Sequence, residues 1–196
     1  MKFKIFGTKI HISFLFLAPV TLMLFIDKSG LFLPSLLAVI IHETAHLTAM
    51  YMLRCNPNEI RLIPTSICIV RQIEYRHKNE IIISLMGPLA NLLFFSAFFV
   101  VYRLCDNSGV LTFALINFLF AIFNLLPIKA LDGGFILYKL LSIKFGENKA
   151  QIVLNILSLI LAVMLILAGV FLFLKNKNFS VILMGIYIIL SIIIKL

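Results

Sequence analysis

The stretch Ile41-His42-Glu43-Thr44-Ala45-His46 decides how the rest of this sequence is interpreted. The spacing His-Glu-x-x-His is typical of a zinc site, because two histidines four residues apart share one face of a helix and can reach one ion. The glutamate beside them can take a proton from a water molecule held there. The stretch lies within an apolar segment, Leu31 to Leu53, that is long enough to span a membrane. Ionisable side chains are costly in hydrocarbon, so the sequence predicts a functional site inside the membrane.

The composition indicates a polytopic membrane protein. The chain has 196 residues, of which 62% are hydrophobic, whereas a soluble domain is nearer half apolar. The net charge of +9 favours a role of Lys and Arg in topology and in contacts with lipid head groups. Nucleic-acid binding is not expected, since there is no basic face interleaved with aromatic residues. The cysteines, which form no C-x-x-C pair, are interpreted as packing residues.

The predicted fold is an all-α polytopic membrane protein with about six transmembrane helices. The spans are about Ile12–Ile26, Leu31–Leu53, Glu80–Leu104, Leu111–Ile143, Ile152–Leu174 and Phe179–Ile194. A short β element is predicted between spans two and three, because residues alternate in character from Ile67 to Tyr75. The fourth span is predicted to be broken between Asn124 and Gly134, where a proline and two glycines interrupt it. Irregular backbone at membrane depth must be buried in protein or line a cavity.

The distribution of basic residues predicts that both termini are cytoplasmic, because the loops on the side of the termini carry most of the Lys and Arg. Spans two and four then run in the same direction. The histidine pair and the broken segment are therefore expected at similar depth, nearer the cytoplasmic face.

A catalytic zinc needs a third protein ligand, and we predict that this ligand is Asp132. Apart from Glu43, it is the only acidic residue within the apolar region, and it lies on the broken span. A cap at the N-terminus of the second half-helix is the alternative role for this carboxylate. The remaining histidines, His11 and His77, are interpreted as surface or interface residues. For Asn91 an interhelical hydrogen bond is the favoured role, and contact with a substrate or metal is the alternative.

These residues predict metal-assisted peptide hydrolysis, in which Glu43 takes a proton from water and passes it to the leaving amine. A helical substrate has to be unwound locally, and a strand edge in the region Ile67 to Tyr75 can hold it extended. A non-catalytic membrane metal-binding or transport protein is the alternative. A transporter should show further polar residues along a path through the spans.

The sequence resembles the site-2 protease family of intramembrane zinc metalloproteases. The resemblance rests on His42-Glu43-x-x-His46 in one span and Asn124-Leu-Leu-Pro127…Leu131-Asp132-Gly133 in a later one. Gly87-Pro88-Leu89-Ala90-Asn91 is similar to that family's third span. The resemblance covers roughly residues 9–145.

Residue roles follow from this resemblance. It implies that His42, His46 and Asp132 bind one zinc ion and that Glu43 is the catalytic acid and base. It also implies a membrane-associated protein substrate within the lipid bilayer. A membrane-embedded inhibitor or regulator and a homo-oligomer are left open.

In size and layout the chain is most similar to the stage IV sporulation protease FB group, which processes a membrane-associated pro-sigma factor. The resemblance to the site-2 protease family implies that Asn124 and Pro127 belong to a loop that contacts substrate, and the similarity to this group adds a role in sporulation. It also implies a location in the bacterial cell membrane or forespore membrane. The loop Ile63-Pro64-Thr65-Ser66-Ile67 departs from the Pro-Phe-Gly-Gly-like turn that is usual in such proteases.

The expected domain organisation is a single intramembrane metalloprotease domain over residues 1–196. Its catalytic core is expected at about 9–145, and spans five and six at about 152–195. No CBS or PDZ domain is expected.

Overall fold

The structure, a computed structural model, describes residues 2–5, 8–12, 26–55, 59–63, 66–70, 76–176 and 180–193. Nearly all of the first predicted span, residues 13–25, therefore lies outside the described residues. The described chain divides into two units, Met1–Phe120 and Ala121–Leu196.

Helices dominate the described residues. The elements in chain order are β1 (Lys2–Ile5), β2 (Thr8–Ile12), α1 (Phe32–Met52), β3 (Glu59–Ile63), β4 (Ser66–Val70), α2 (His77–Cys105), α3 (Ser108–Asn124), α4 (Asp132–Phe145), α5 (Glu147–Asn176) and α6 (Ser180–Ile193). Three of these helices, α1, α2 and α5, are long and apolar enough to cross a membrane. Helix α3 and most of α6 are shorter apolar helices, so the count of six spans stays a prediction. The predicted break in the fourth span is confirmed, because α3 ends at Asn124 and α4 begins at Asp132.

The strands of the first unit form one sheet in the order β1-β2-β3-β4. Strands β2 and β3 are parallel, and the two outer pairs are antiparallel. Strands β3 and β4 come from the polar stretch between α1 and α2. The predicted alternation began at Ile67, within β4, and its last residues, 71–75, lie outside the described part of the chain.

Helix α1 begins after a polar turn that is organised by Asp27. One carboxylate oxygen accepts a hydrogen bond from the amide of Phe32 at 2.8 Å, and the other accepts one from the amide of Ser29 at 2.9 Å. The Ser29 hydroxyl also donates to this carboxylate. These donors, first of all the hydroxyl, hold the pKa of Asp27 below its ordinary value. A carboxylate that accepts the early amides stabilises the start of the helix.

Helices α1 and α2 pack against each other in the first unit. Their buried cluster consists of Ala49, Met50, Cys55 and Ile83. Helix α2 continues through Pro88, which is itself buried. Helix α3 contacts α2 through aromatic pairs, Phe95 with Phe118 and Phe98 with Phe113, whose ring centroids are 4.8 and 4.7 Å apart.

In the second unit, α5 packs against both α4 and α6. Its buried cluster is formed by Ile128, Ala162 and Ile188. Close approach of α5 and α6 depends on small residues, because a Cβ atom at Gly185 would collide with Ile166 and lie 3.1 Å from the carbonyl oxygen of Ala162. Ile128 comes from the connection between α3 and α4, so this connection is part of the core of its unit.

Candidate metal centre

Helix α1 places His42 and His46 on one buried face, as their spacing predicts. The two side chains are only 3% and 7% exposed. Their Nε2 atoms are 3.0 Å apart, and the two rings meet edge to face with centroids 4.6 Å apart. The same nitrogen atom of each ring is therefore directed at one point.

The opposite nitrogen of each ring is held by an oxygen atom of α2. His42 Nδ1 lies 2.7 Å from Oδ1 of Asn91, and His46 Nδ1 lies 2.7 Å from the carbonyl oxygen of Ile83. A carbonyl oxygen can only accept, so each Nδ1 carries the proton and donates it. Each Nε2 then presents a lone pair, which is the state in which a neutral imidazole binds a metal ion.

The orientation of the Asn91 amide follows from its other partners. Its Nδ2 donates to the carbonyl oxygen of Ala38 at 3.0 Å and to Oδ1 of Asn117 at 2.9 Å. Both acceptors require the amino group on that side, so the amide oxygen faces His42. The interhelical hydrogen bond predicted for Asn91 is confirmed, and its partner is a residue of the His-Glu-x-x-His motif.

This geometry fits a bound cation. Two lone pairs 3.0 Å apart repel each other unless a positive charge lies between them. Two nitrogen atoms that each bind one zinc ion at about 2.0–2.1 Å in tetrahedral arrangement lie roughly 3.3 Å apart. The histidine pair is therefore arranged close to the separation that zinc requires.

Gly87 of α2 makes room for both rings. A Cβ atom built at this position would collide with Nε2 of His46. It would also lie 2.6 Å from Cε1 of His46 and 2.7 Å from Cε1 of His42. Any side chain at position 87 would fill the space that the two imidazoles occupy.

Asp132, the predicted third ligand, is the first residue of α4 in the second unit. Its side chain is half-buried. The N-cap residue of α4 is Leu131, which has extended backbone and makes no capping bond through its side chain. Asp132 therefore lies in the first turn of α4, where a carboxylate can stabilise the start of the helix, and its alternative role at this helix end stays a prediction. A carboxylate is a common third ligand beside two imidazoles, so the residue type of Asp132 fits the predicted metal site.

The connection before Asp132 is held by its own backbone and by α5. The Lys129 amide donates to the Ser158 hydroxyl at 2.9 Å. Gly133 and Gly134 are buried against the backbone of this connection, and a Cβ atom at either glycine would collide with a carbonyl group, that of Leu125 or that of Ile128. The absence of side chains at these two positions lets α4 start directly beside the loop.

The remaining predicted residues have the following positions. Glu43 follows His42 on α1 and is half-buried. Asn124 is buried at the end of α3, and Pro127 is half-buried in the connection. His77 is exposed at the start of α2, with Nδ1 4.0 Å from a carboxylate oxygen of Glu80, as expected for a surface residue.

Sequence reasoning missed Gly87 and Asn117 as parts of the site. Gly87 belongs to the stretch that resembles the third span of the site-2 protease family, but this resemblance does not show that the glycine faces the histidines. Asn117 is completely buried in the middle of an apolar helix. The sequence does carry an indication for Asn117, because an amide side chain within an apolar span usually hydrogen-bonds to a neighbouring helix or has a functional role.

These features describe a helical chain with three helices long and apolar enough to cross a membrane and with a candidate metal site of the His-Glu-x-x-His type. The family described as Peptidase family M50 matches residues 107–168. Zinc metalloprotease MJ0392 of Methanocaldococcus jannaschii is 28% identical over 198 residues, which cover 95% of this chain and 57% of the relative. The chain thus spans little more than half the length of this curated relative.

A solved structure, the site-2 protease from Methanocaldococcus jannaschii, superimposes with a TM-score of 0.69 at 25% sequence identity. The match covers 96% of this chain and 91% of that one. The chain is similar to site-2 proteases over most of its length, and zinc is the metal that these similarities and the paired histidines support. The narrower resemblance to the stage IV sporulation protease FB group stays a prediction.

Proposed function

We propose that this protein is an intramembrane zinc metalloprotease that hydrolyses a peptide bond of a membrane-associated protein substrate. One observation carries the proposal. Two buried histidines on a helix of membrane-spanning length present Nε2 atoms 3.0 Å apart, while both Nδ1 atoms are anchored to oxygen acceptors. A pair of imidazoles held in this way inside a membrane is suited to metal binding and has no evident use in packing.

In this proposal His42, His46 and Asp132 bind one zinc ion. When bound, zinc supplies a Lewis acid that polarises the scissile carbonyl and makes water a better nucleophile. The residue types and the spacing of the histidines support this assignment, as does the position of Asp132 directly after an irregular segment. Three protein ligands leave one coordination position for the reaction, which is the usual arrangement of a catalytic site.

Glu43 is the proposed general acid and base. It receives a proton from the attacking water and delivers it to the nitrogen of the leaving amine. Its place beside His42 on α1 and its half-buried side chain support this role. Proton transfer by a positioned side chain contributes about 10²- to 10⁴-fold to a rate, so the glutamate is the residue whose loss separates binding from catalysis.

Substrate binding is proposed at two places. The connection that contains Asn124 and Pro127 is irregular, and its residues can contact a locally unwound peptide. Strand β4 (Ser66–Val70) is an outer strand of the described sheet, so its outer edge can pair with an extended substrate.

The proposed substrate is a pro-sigma factor or another regulatory precursor that is processed during sporulation. This part of the proposal is supported only by the similarity in size and layout to the stage IV sporulation protease FB group. The proposal also includes a multi-pass topology with cytoplasmic termini and a location in the bacterial cell membrane or forespore membrane. A membrane-embedded inhibitor and self-association would be natural means of regulation.

Cleavage by the Glu43→Gln variant tests the function. The variant and the wild type are purified, reconstituted in lipid vesicles and mixed with membrane-tethered precursor peptides. We expect zinc content to stay at the wild-type level and cleavage to fall by about 10²- to 10⁴-fold. Thr44→Val is the control, because the Thr44 hydroxyl is exposed and, among the described residues, bonds to carbonyl groups of its own helix. Cleavage by Glu43→Gln at the wild-type rate would contradict the mechanism.

Zinc content tests the ligand set separately. Asp132→Asn should lower the zinc bound per chain, since an amide is a weaker ligand than a carboxylate. Full zinc occupancy in this variant would remove Asp132 from the set. A wild-type protein that binds zinc, cleaves no precursor and moves zinc into vesicles would support the transport alternative.

A further inference from the structure

Asn117 is a completely buried amide in the apolar helix α3. Its side chain touches neither predicted zinc-binding histidine directly in the hydrogen bonds that the structure describes, and the proposed reaction assigns it no role. It is nevertheless bonded on both of its polar atoms. The direction of these bonds shows what it does.

The hydrogen bonds form a directed chain from α3 to His42. Asn117 Nδ2 donates to the carbonyl oxygen of Phe113 at 2.9 Å, which turns Oδ1 of Asn117 toward α2. That oxygen accepts a hydrogen bond from Nδ2 of Asn91, whose Oδ1 in turn accepts one from His42 Nδ1. The Phe113 carbonyl can only accept a hydrogen bond, so it fixes the orientation of the Asn117 amide. Asn117 in turn fixes the orientation of Asn91, and Asn91 fixes the position of the proton on His42.

We propose that Asn117 is a positioning residue for metal binding and acts by setting the tautomer of His42. With Asn91 in the observed orientation, the ring proton lies on Nδ1 and the lone pair on Nε2. If the Asn91 amide were reversed, its amino group would face Nδ1 and favour the proton on Nε2. A protonated Nε2 cannot bind a metal ion.

Two acceptors oppose this reversal. A reversed Asn91 would bring its oxygen against the carbonyl of Ala38 and against Oδ1 of Asn117, and both contacts would be repulsive. Without Asn117 only the Ala38 carbonyl would remain. The site would then contain both orientations of Asn91 and both tautomers of His42.

The inference rests on the proposed zinc site but not on proteolysis. Loss of a group that orients a metal-binding histidine commonly lowers metal affinity by about 10- to 100-fold. Because Asn117 acts through Asn91, we expect Asn117→Leu to lower zinc affinity at the lower end of this range, about 10-fold. Asn117→Asp keeps an oxygen acceptor toward Asn91 and should restore most of the affinity. Thr112→Val is the matched control on α3, since within the described part of the chain its hydroxyl bonds to the carbonyl of Ser108 in the same helix.

A second substitution separates orientation from packing. Asn91→Asp presents only oxygen atoms to His42, so the Nδ1 proton is favoured whatever residue stands at position 117. In this background Asn117→Leu should change zinc affinity by less than about twofold. If it lowers the affinity equally in both backgrounds, Asn117 has only a packing role and the proposal is wrong.

The experiment measures zinc affinity by competition with a chromophoric chelator, using the full chain in detergent at one fixed pH. The tautomer is read in the zinc-free protein from NMR spectra with ¹⁵N-labelled histidine. We expect the Nδ1–H tautomer of His42 in the wild type and in Thr112→Val, and a mixture in Asn117→Leu. Asn117→Ala provides the same comparison if the leucine variant does not fold. A pure Nδ1–H tautomer in folded Asn117→Leu or Asn117→Ala would overturn the proposal, whereas absence of cleavage by a wild type that shows the expected tautomer would contradict only the proposed reaction.

Discussion

Replacement of Gly87 by alanine should destroy the metal site while leaving most of the protein folded. The added Cβ atom would lie 2.6 Å and 2.7 Å from ring carbons of His46 and His42. Carbon atoms in contact are normally about 3.5–4.0 Å apart, so each ring must retreat by about 1 Å. A metal site tolerates about 0.2 Å in its ligand distances, which is far less than this displacement.

The rings cannot retreat without losing their supports. His42 and His46 are each anchored through Nδ1 by a bond of 2.7 Å, and a shift of about 1 Å would carry these pairs beyond hydrogen-bonding distance. Movement of α2 away from α1 would instead strain the bonds of Asn91. We expect zinc affinity to fall at least 10- to 100-fold and the free energy of unfolding to fall by about 1–3 kcal/mol.

The assay is zinc content after purification, followed by chelator competition, with thermal unfolding in detergent to report folding. Gly109→Ala is the control, because a Cβ atom there would meet only Oδ1 of Asn107 at 3.2 Å, on an exposed part of α3. Wild-type zinc affinity in a folded Gly87→Ala protein would show that the two rings do not depend on this space. Loss of zinc in Gly109→Ala as well would point to a general effect of the added methyl groups.

Three further substitutions test the connection before α4 and the start of α1. Gly134→Ala should lower the free energy of unfolding by about 1–3 kcal/mol, because its methyl group would collide with the backbone of Ile128; an unchanged thermal midpoint would contradict this. Ser158→Ala should lower the free energy of unfolding by about 0.5–1.5 kcal/mol in chemical denaturation, because it removes the hydroxyl that accepts a hydrogen bond from the part-buried Lys129 amide, and a neutral result would indicate that another group replaces the hydroxyl. Because the folded-state pKa of Asp27 is lowered, its stabilising effect is full above about 3.8, its ordinary value, and is lost as the pH falls through the lower folded value. The difference in thermal midpoint between wild type and Asp27→Asn should therefore shrink on acidification below that value, and a difference independent of pH would refute the assignment.

Local chemistry made part of the site predictable from sequence. The pairing of His42 with His46 follows from helix geometry alone, so it needed no knowledge of neighbouring helices. The break in the fourth span likewise follows from Pro127 and the glycine pair after Asp132, which act on their own backbone. These features were predicted at the correct residues.

Features that depend on how helices face each other were not predictable. Apolar helices that expose similar residues all round leave their rotation undetermined by sequence pattern. The contact of Gly87 with both histidines and the partner of the Asn91 amide depend on that rotation. The order of the four strands was also not predictable, since the pairing of β2 with β3 joins segments that are distant in the sequence.

The hydrogen-bond chain that ends at His42 also has a consequence for biogenesis. Gly133 and Gly134 contact backbone only a few residues away, so the connection before α4 can form as soon as it is synthesised. In contrast, Asn91 is 49 residues from His42 and 26 residues from Asn117. Contacts between distant residues form late, because the intervening chain must first be brought together. Before α3 is inserted, Asn91 therefore lacks its bond to Asn117, and the tautomer of His42 is not yet fixed. We expect zinc to bind with full affinity only after α3 has been inserted.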